Sequence, residues 1–243
     1  VKTGSGALME TLPDALALAQ TMVDIGKLAG KPVVAVITSM AQPLGTHIGN
    51  ALEVKDAIDV LAGRTQGDLL EISLLLGSHM LVLAEKAKTL PEARAMLENA
   101  LSSGAGLRKL AEMIAAQGGD PRVVEDLSLL PQAAVKRVMR AETAGYLSAM
   151  DTTALGMAAQ RMGAGRAKKS DMLDYSVGYV LHVRLGDEVT EDTPLATLYA
   201  RNEAEADEAE KAIRKALTIA KEKPSVPPLW DAVVTAEGII YNR

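Results

Sequence analysis

The stretch Val33-Val34-Ala35-Val36-Ile37-Thr38 runs directly into Ser39-Met40-Ala41-Gln42-Pro43-Leu44-Gly45-Thr46-His47-Ile48-Gly49-Asn50, and together they decide the reading of the fold. The first part is rich in β-branched residues and almost wholly apolar. A strand of that kind is covered on both faces, as in a parallel sheet packed between helices. The second part is polar and carries Gly45 and Gly49, so it forms a loop at the carboxyl end of the strand. In open parallel sheets that is the edge where ligands bind.

Upstream, Ala15, Leu16, Ala19, Met22, Val23 and Leu28 fall mostly on one face of a helix that starts near Pro13, with Gly30 as its stop. Helix then strand at this length is half of a parallel α/β unit. Further upstream, Val1-Lys2 enters the turn Thr3-Gly4-Ser5-Gly6 without an initiator methionine. A strand end followed by a glycine turn reads as the middle of an α/β domain, so the expectation is a piece of a longer chain.

Downstream, a helix is expected from about Ala51 to Leu61, stopped by Gly63, and only helices from Asp68 to Gln117. Leu69, Leu70, Ile72, Leu74, Leu75 and Leu76 are dense enough to predict a buried helix. Thr89-Leu90-Pro91-Glu92 has capping-box spacing. Gly118-Gly119-Asp120-Pro121 ends the series, and the texture changes near residue 130, where a domain boundary is placed.

Beyond it the pattern predicts strands at Val135–Val138 and Gly145–Ala149 and a helix from Thr153 to Met162. Two more strands follow, Val177–Val183 and Pro194–Tyr199, on either side of a tight turn at Gly186-Asp187. A charged helix is expected from Glu203 to Ala220, and Lys223-Pro224-Ser225-Val226-Pro227-Pro228 reads as an extended linker. The expected class is α/β: part of a mixed or parallel sheet flanked by helices, then a small α+β domain.

Composition excludes several classes. With 243 residues, 48% hydrophobic and 23% charged, the chain is globular rather than disordered. It has no cysteine, hence no disulfide, thiol nucleophile or thiolate metal site. A net charge of −5 and 2% aromatics speak against nucleic-acid binding. No apolar run is long enough for a membrane span, and the first residues lack a signal-peptide pattern.

The side chains alone offer little chemistry. Of the histidines, His79 reads as a hydrogen-bonded core residue and His182 as a strand residue facing the surface or a neighbour. His47 sits in the ligand-edge loop, where an ordinary and a functional histidine are equally compatible. Thr3-Gly4-Ser5-Gly6 could present backbone N–H groups to an anion, but it lacks the Gly-Lys-Ser/Thr of a P-loop. Gly163-x-Gly165-Arg166 could touch phosphate or simply end a helix. Glu53 and Asp56 favour a helix start through the dipole, or with loop carbonyls could hold a monovalent cation. The acidic run Glu203 to Glu210 reads as a solvated face.

The order of the motifs adds what single residues do not. Val1-Lys2-Thr3-Gly4-Ser5-Gly6-Ala7, Gln42-Pro43-Leu44-Gly45, Ile48-Gly49-Asn50-Ala51-Leu52-Glu53-Val54, Ala116-Gln117-Gly118-Gly119-Asp120 and Gly163-Ala164-Gly165-Arg166 follow one another along the chain. Together they resemble the pyrimidine-nucleoside phosphorylase and thymidine phosphorylase family. The resemblance implies that residues 1–130 are the C-terminal half of the large α/β domain and 131–243 the family's C-terminal α+β domain, with a lipoyl-like β barrel. It implies reversible phosphorolysis of thymidine, uridine or deoxyuridine to free base and pentose 1-phosphate, in a cytoplasmic homodimer joined through an upstream helical domain.

Phosphate would be the co-substrate, with no organic cofactor. The family's phosphate- and base-binding residues would lie upstream of Val1, so no catalytic residue is carried onto this chain and the chain alone is expected to be inactive. Two assignments are carried over. Leu8 stands where relatives often have a pyrimidine-lining Phe. Leu44 and His47, through their carbonyls, and Asp56, where relatives carry Glu, would bind a potassium ion. The alternatives are a carrier-like scaffold module and a related phosphoribosyltransferase. A carrier needs a lysine at its hairpin tip, and Leu185-Gly186-Asp187-Glu188 offers none.

Overall fold

Local chemistry sets the element boundaries. In the computed structural model, which describes residues 1–242, β1 (Lys2–Thr3) enters the Gly4–Gly6 turn and α1 (Leu12–Leu28) follows. The Thr11 side chain caps α1 by accepting from the Asp14 amide at 3.3 Å. Then come β2 (Ala35–Ser39), β3 (His47–Ile48), α2 (Asn50–Leu61), α3 (Asp68–Leu83), α4 (Leu90–Ser102) and α5 (Ala105–Ala116). After two short 3-10 turns follow β4 (Val135–Arg140), β5 (Gly145–Met150), α6 (Thr152–Ala159), β6 (Gly178–Leu181), β7 (Glu188–Val189) and β8 (Pro194–Ala200). The chain closes with α7 (Glu203–Ala216), β9 (Leu217–Ala220), β10 (Trp230–Thr235) and β11 (Gly238–Tyr241).

Two compact units interleave along this order. The first comprises Val1–Ala41, Gln66–Ser103 and the segment from Pro227; the second comprises Gln42–Thr65 and Gly104–Val226. Residue 130, where the texture changes, lies inside the second.

The first unit is built on a sheet of order β1-β2-β10-β11. β1 and β2 run parallel, with Lys2 opposite Thr38, whereas β10 pairs antiparallel with β2 and β11 antiparallel with β10. The sheet is therefore mixed, and its last two strands lie where the sequence reading stopped at a linker. α1 lays Ala15, Ala19 and Val23 against Ala35, Ile37, Ala232 and Val234.

α3 pairs with α4, and Arg94 of α4 bridges to Glu71 of α3 at 3.0 Å. Thr89 caps α4 by accepting from the Glu92 amide at 3.3 Å, but the Glu92 carboxylate returns to the Lys88 amide rather than to Thr89. The leucine run of α3 is only half covered. Leu70, Ile72 and Leu74 are buried, while Leu76 and Met80 face solvent, because α4 shields one side.

The second unit holds two open sheets, one of order β3-β6-β8-β4 and one of order β7-β5-β9. Their shared core includes Met139, Leu147, Tyr179, Leu181, Leu195 and Leu198, together with Leu155 of α6 and Ile213 of α7. The Tyr179 hydroxyl donates to the Leu155 carbonyl at 2.8 Å, so the one polar atom of this buried ring is satisfied. The expected lipoyl-like barrel is corrected here: neither sheet closes. Helices α6 and α7 supply apolar side chains to the same core, so the sheets bury their inner faces without hydrogen-bonding around a ring.

Two further expectations change. The charged helix ends at Ala216, and Leu217–Ala220 pairs with β5 as a strand. The α-helix α6 passes at Ala159 into a π-helical turn over Gln160–Ala164, in which Gly163, with φ 108°, breaks the helical backbone just after Met162. The turn at Gly186 holds, with φ 86°, the Arg184 amide donating to the Asp187 carboxylate at 2.7 Å. The strand after it, β7, however, joins the other sheet through β5.

Candidate functional site

The loop after β2 begins in the first unit. The Met40 amide donates to the Thr3 carbonyl at 2.7 Å, and the Met40–Ala41 backbone passes Gly4, whose φ is 98°. The Gly4–Gly6 turn leaves the Leu8 side chain 88% exposed. Leu8 is thus an apolar surface residue of this unit.

The rest of the loop is held inside the second unit. The Gln42 side-chain carbonyl accepts from the Leu185 amide at 2.9 Å. The Arg184 guanidinium donates to the Pro43 carbonyl at 2.6 Å and reaches the Gly45 carbonyl at 3.4 Å, bracketing Leu44. β3 then pairs antiparallel with β6, His47 opposite Val180 and Ile48 opposite Tyr179.

The pairing tolerates no side chain where it ends. A Cβ on Gly49 would sit 2.4 Å from the Val177 carbonyl, and one on Gly178 would sit 2.1 Å from that of Ile48. Both glycines have positive φ, 136° and 146°. Backbone therefore meets backbone, as only glycine permits.

α2 starts directly at this contact. Its first residue, Asn50, donates to the Ala164 carbonyl at 2.8 Å, and the Glu53 carboxylate accepts from the Gly49 amide at 3.3 Å. Glu53 is thus a cap of the helix start. The Ala164 carbonyl serves as a tether and the Arg166 carbonyl accepts from Gln160 at 2.7 Å, so the Gly163–Arg166 segment is occupied with ending a helix.

At the end of the second turn of α2, Asp56 is 3% exposed and faces His47 of the loop. Its Oδ1 lies 3.4 Å from His47 Nδ1, which also lies 3.0 Å from the Thr46 hydroxyl. Burial pushes the His47 imidazole below its ordinary pKa, and the opposing pull of Asp56 does not reverse this. Burial thus favours the neutral imidazole beside Asp56.

The strand register adds a second oxygen. The Leu181 amide bonds the Thr46 carbonyl at 2.8 Å, so His47 occupies a non-hydrogen-bonded pair. Its own carbonyl turns away from β6, toward the free edge of the sheet. Of the residues expected to act together, His47 and Asp56 are adjacent, Leu44 lies in the segment that Arg184 holds, and Leu8 belongs to the other unit. Among the described residues no group of three or more His, Asp or Glu side chains is arranged to hold a metal ion. The chemistry on offer is one buried carboxylate beside an imidazole, next to a loop held in place by Arg184.

Sequence reasoning missed Arg184 and the Gly49–Gly178 contact. A lone glycine before an apolar strand signals a close backbone approach, so Gly178 was findable; Arg184 carries no local signal. His182, just past the end of β6, bonds across to Thr197 of β8 at 2.7 Å, and His79 is half-buried in α3.

Comparison with known proteins accords with these features. Residues 1–107 match the family model described as glycosyl transferase family, a/b domain, and residues 146–220 match the pyrimidine nucleoside phosphorylase C-terminal domain. The pyrimidine-nucleoside phosphorylase of Bacillus subtilis is 47% identical over 235 residues, 97% of this chain and 54% of that protein. That of Geobacillus stearothermophilus is 46% identical over 229 residues, 94% of this chain and 53% of its own length. That of Staphylococcus aureus is 45% identical over 235 residues, again 97% and 54%. The chain spans about half the length of the curated relatives it matches, and those matches cover nearly all of its own length: it belongs to the pyrimidine-nucleoside phosphorylase family.

Proposed function

We propose that this chain forms part of an enzyme that cleaves pyrimidine nucleosides with phosphate. The N-glycosidic bond breaks, a phosphate oxygen bonds to the anomeric carbon, and the base leaves with the electron pair and takes up a proton. The names of the relatives support this reading. The structural observation that carries it is the loop at the carboxyl edge of β2, clamped by Arg184 and seated against the buried Asp56. Such a reaction depends on positioning and on fixed charge near the developing anion. In this reading Leu8 contributes an apolar wall beside the pyrimidine. The enzyme works as a cytoplasmic homodimer, and residues outside this chain hold phosphate and base.

The residues at the loop fit a potassium ion. Asp56 is a buried carboxylate beside an imidazole whose neutral form burial favours, and the His47 carbonyl faces the open edge of the sheet. In this assignment the carbonyls of Leu44 and His47 and the Asp56 carboxylate hold the cation, which when bound supplies a fixed positive charge at the loop. Arg184 keeps the loop in place.

The test measures base release from uridine against potassium concentration for the longer protein and for its Asp56→Asn variant. The expected result is a half-saturating potassium concentration raised about ten-fold or more in the variant, since a charged hard-cation ligand is lost. Unchanged potassium dependence removes the cation assignment while leaving phosphorolysis intact. No base release from the longer protein removes the reaction itself. The chain alone is expected to show no turnover.

A further inference from the structure

The sheet β3-β6-β8-β4 has one face in the core, and its other face carries an unusual set of groups. Cross-strand partners share a face, and Lys136 of β4 stands directly opposite Tyr199 of β8. The Lys136 ammonium lies 5.6 Å from the centre of the Tyr199 ring. Its charge also contributes, after burial, to holding the His182 imidazole below its ordinary pKa.

Above this face, α2 and the 127–133 segment enclose a cavity of about 320 Å³. Lys55 of α2 reaches it from one side, Lys136 and Tyr199 form its floor, and Leu52, Leu127 and Leu130 line the rest. The residues lining it include two lysines and no carboxylate, in a chain whose net charge is −5.

The nearest acid does not cancel these charges. Asp59 accepts from Lys55 at 2.5 Å and from Arg64 at 2.8 Å. Burial works to raise its pKa, but the bonds from the two cations outweigh that and hold it below the usual carboxylate range. One carboxylate thus faces two cations, so the Lys55, Arg64 and Asp59 group as a whole keeps a positive charge. Among the described residues Lys136 makes no ion pair and has the Tyr199 ring face beside it. A cavity with two cations from different elements, a phenol and an apolar remainder selects an anion carrying a small organic group. Its volume exceeds what a bare phosphate needs.

We propose that this cavity binds a small phosphate monoester, with Lys55 and Lys136 on the phosphate and Leu52, Leu127 and Leu130 against the organic part. It is distinct from the potassium assignment, which uses other groups, and it does not depend on that assignment.

Titration calorimetry of the protein with ribose 5-phosphate tests it, with inorganic phosphate as the second arm and melts without ligand as the folding control. The expected Kd for the ester is about 1 mM or tighter. Lys136→Gln and Lys55→Gln are each expected to weaken binding about ten-fold, the loss of one charge-assisted contact. Should Lys55→Gln fail to fold because Asp59 loses a partner, Lys136→Gln decides alone. Free phosphate is expected to bind several-fold more weakly than the ester. Absence of binding, an unchanged Kd in Lys136→Gln, or equal affinity for free phosphate and ester overturns the proposal.

Discussion

The two units solve the same problem unequally. The second buries Tyr179, Met139, Leu147, Leu155, Leu181, Leu195, Leu198 and Ile213 almost completely, between two sheets and two helices. The core of the first unit's sheet rests on Ala15, Ala19, Ala35 and Ala232, with Val23, Ile37 and Val234 as its larger members. Large apolar side chains there point outward instead: Leu28 is 90% exposed, Ile25 61% and Ile240 62%. Alanine brings backbones close but buries little area, so each contact contributes less. The second unit buries the larger apolar side chains, while the first leaves several exposed.

The sharpest test of this contrast uses glycines. Gly178→Ala, in the second unit, places a Cβ 2.1 Å from the Ile48 carbonyl at a φ of 146°. It is expected to cost more than about 4 kcal/mol and to release the loop from β6. Gly30→Ala, in the first unit, has a φ of 64° and open space around it, so only the left-handed backbone penalty of about 1–2 kcal/mol applies. Denaturant melts of the two variants measure the difference. Equal losses would show that the β3–β6 contact yields more easily than its backbone geometry implies.

The next test is packing. Leu198→Ala empties a fully buried site and is expected to cost about 2–5 kcal/mol, with the loss confined to the second unit. Hydrogen exchange resolves the location. If the amides of α1 and β2 lose protection equally, the two units melt as one and the contrast fails.

The smallest effect is expected at the exposed apolar face of the first unit. Leu28→Lys should change stability by no more than about 0.5 kcal/mol, because the side chain already stands in solvent, and it should reduce self-association in sedimentation. A large loss of stability would mean that Leu28 is covered in solution, and the first unit is then better packed than its alanine core suggests.

The sequence by itself determined the elements whose causes are local. Thr11 and Thr89 cap helices within three residues of themselves. The β-branched run into Thr38 forms a strand, Gly63 follows a helix end, and Gly186 turns the chain, because backbone sterics and side-chain period act between near neighbours. The order of the motifs, with no single residue decisive, was enough to suggest the family that the comparisons bear out. His47 and Asp56 were legible as candidates because they flank one loop and one helix start.

Only the tertiary structure decided which segments meet. β10 attaches to β2 from the far end of the chain and carries β11 on its other side, and local pattern holds no term for that pairing. Leu217–Ala220 continues a helical pattern but pairs with β5, because tertiary hydrogen bonds outweigh a weak helix propensity. The two sheets stay open, and α6 and α7 supply apolar side chains to the core they share. Arg184 reaches Pro43 from 141 positions away, and Gly178 meets Gly49 backbone to backbone. Contacts of that range are set by the closure of the whole fold, since their geometry exists only once both segments are already in place.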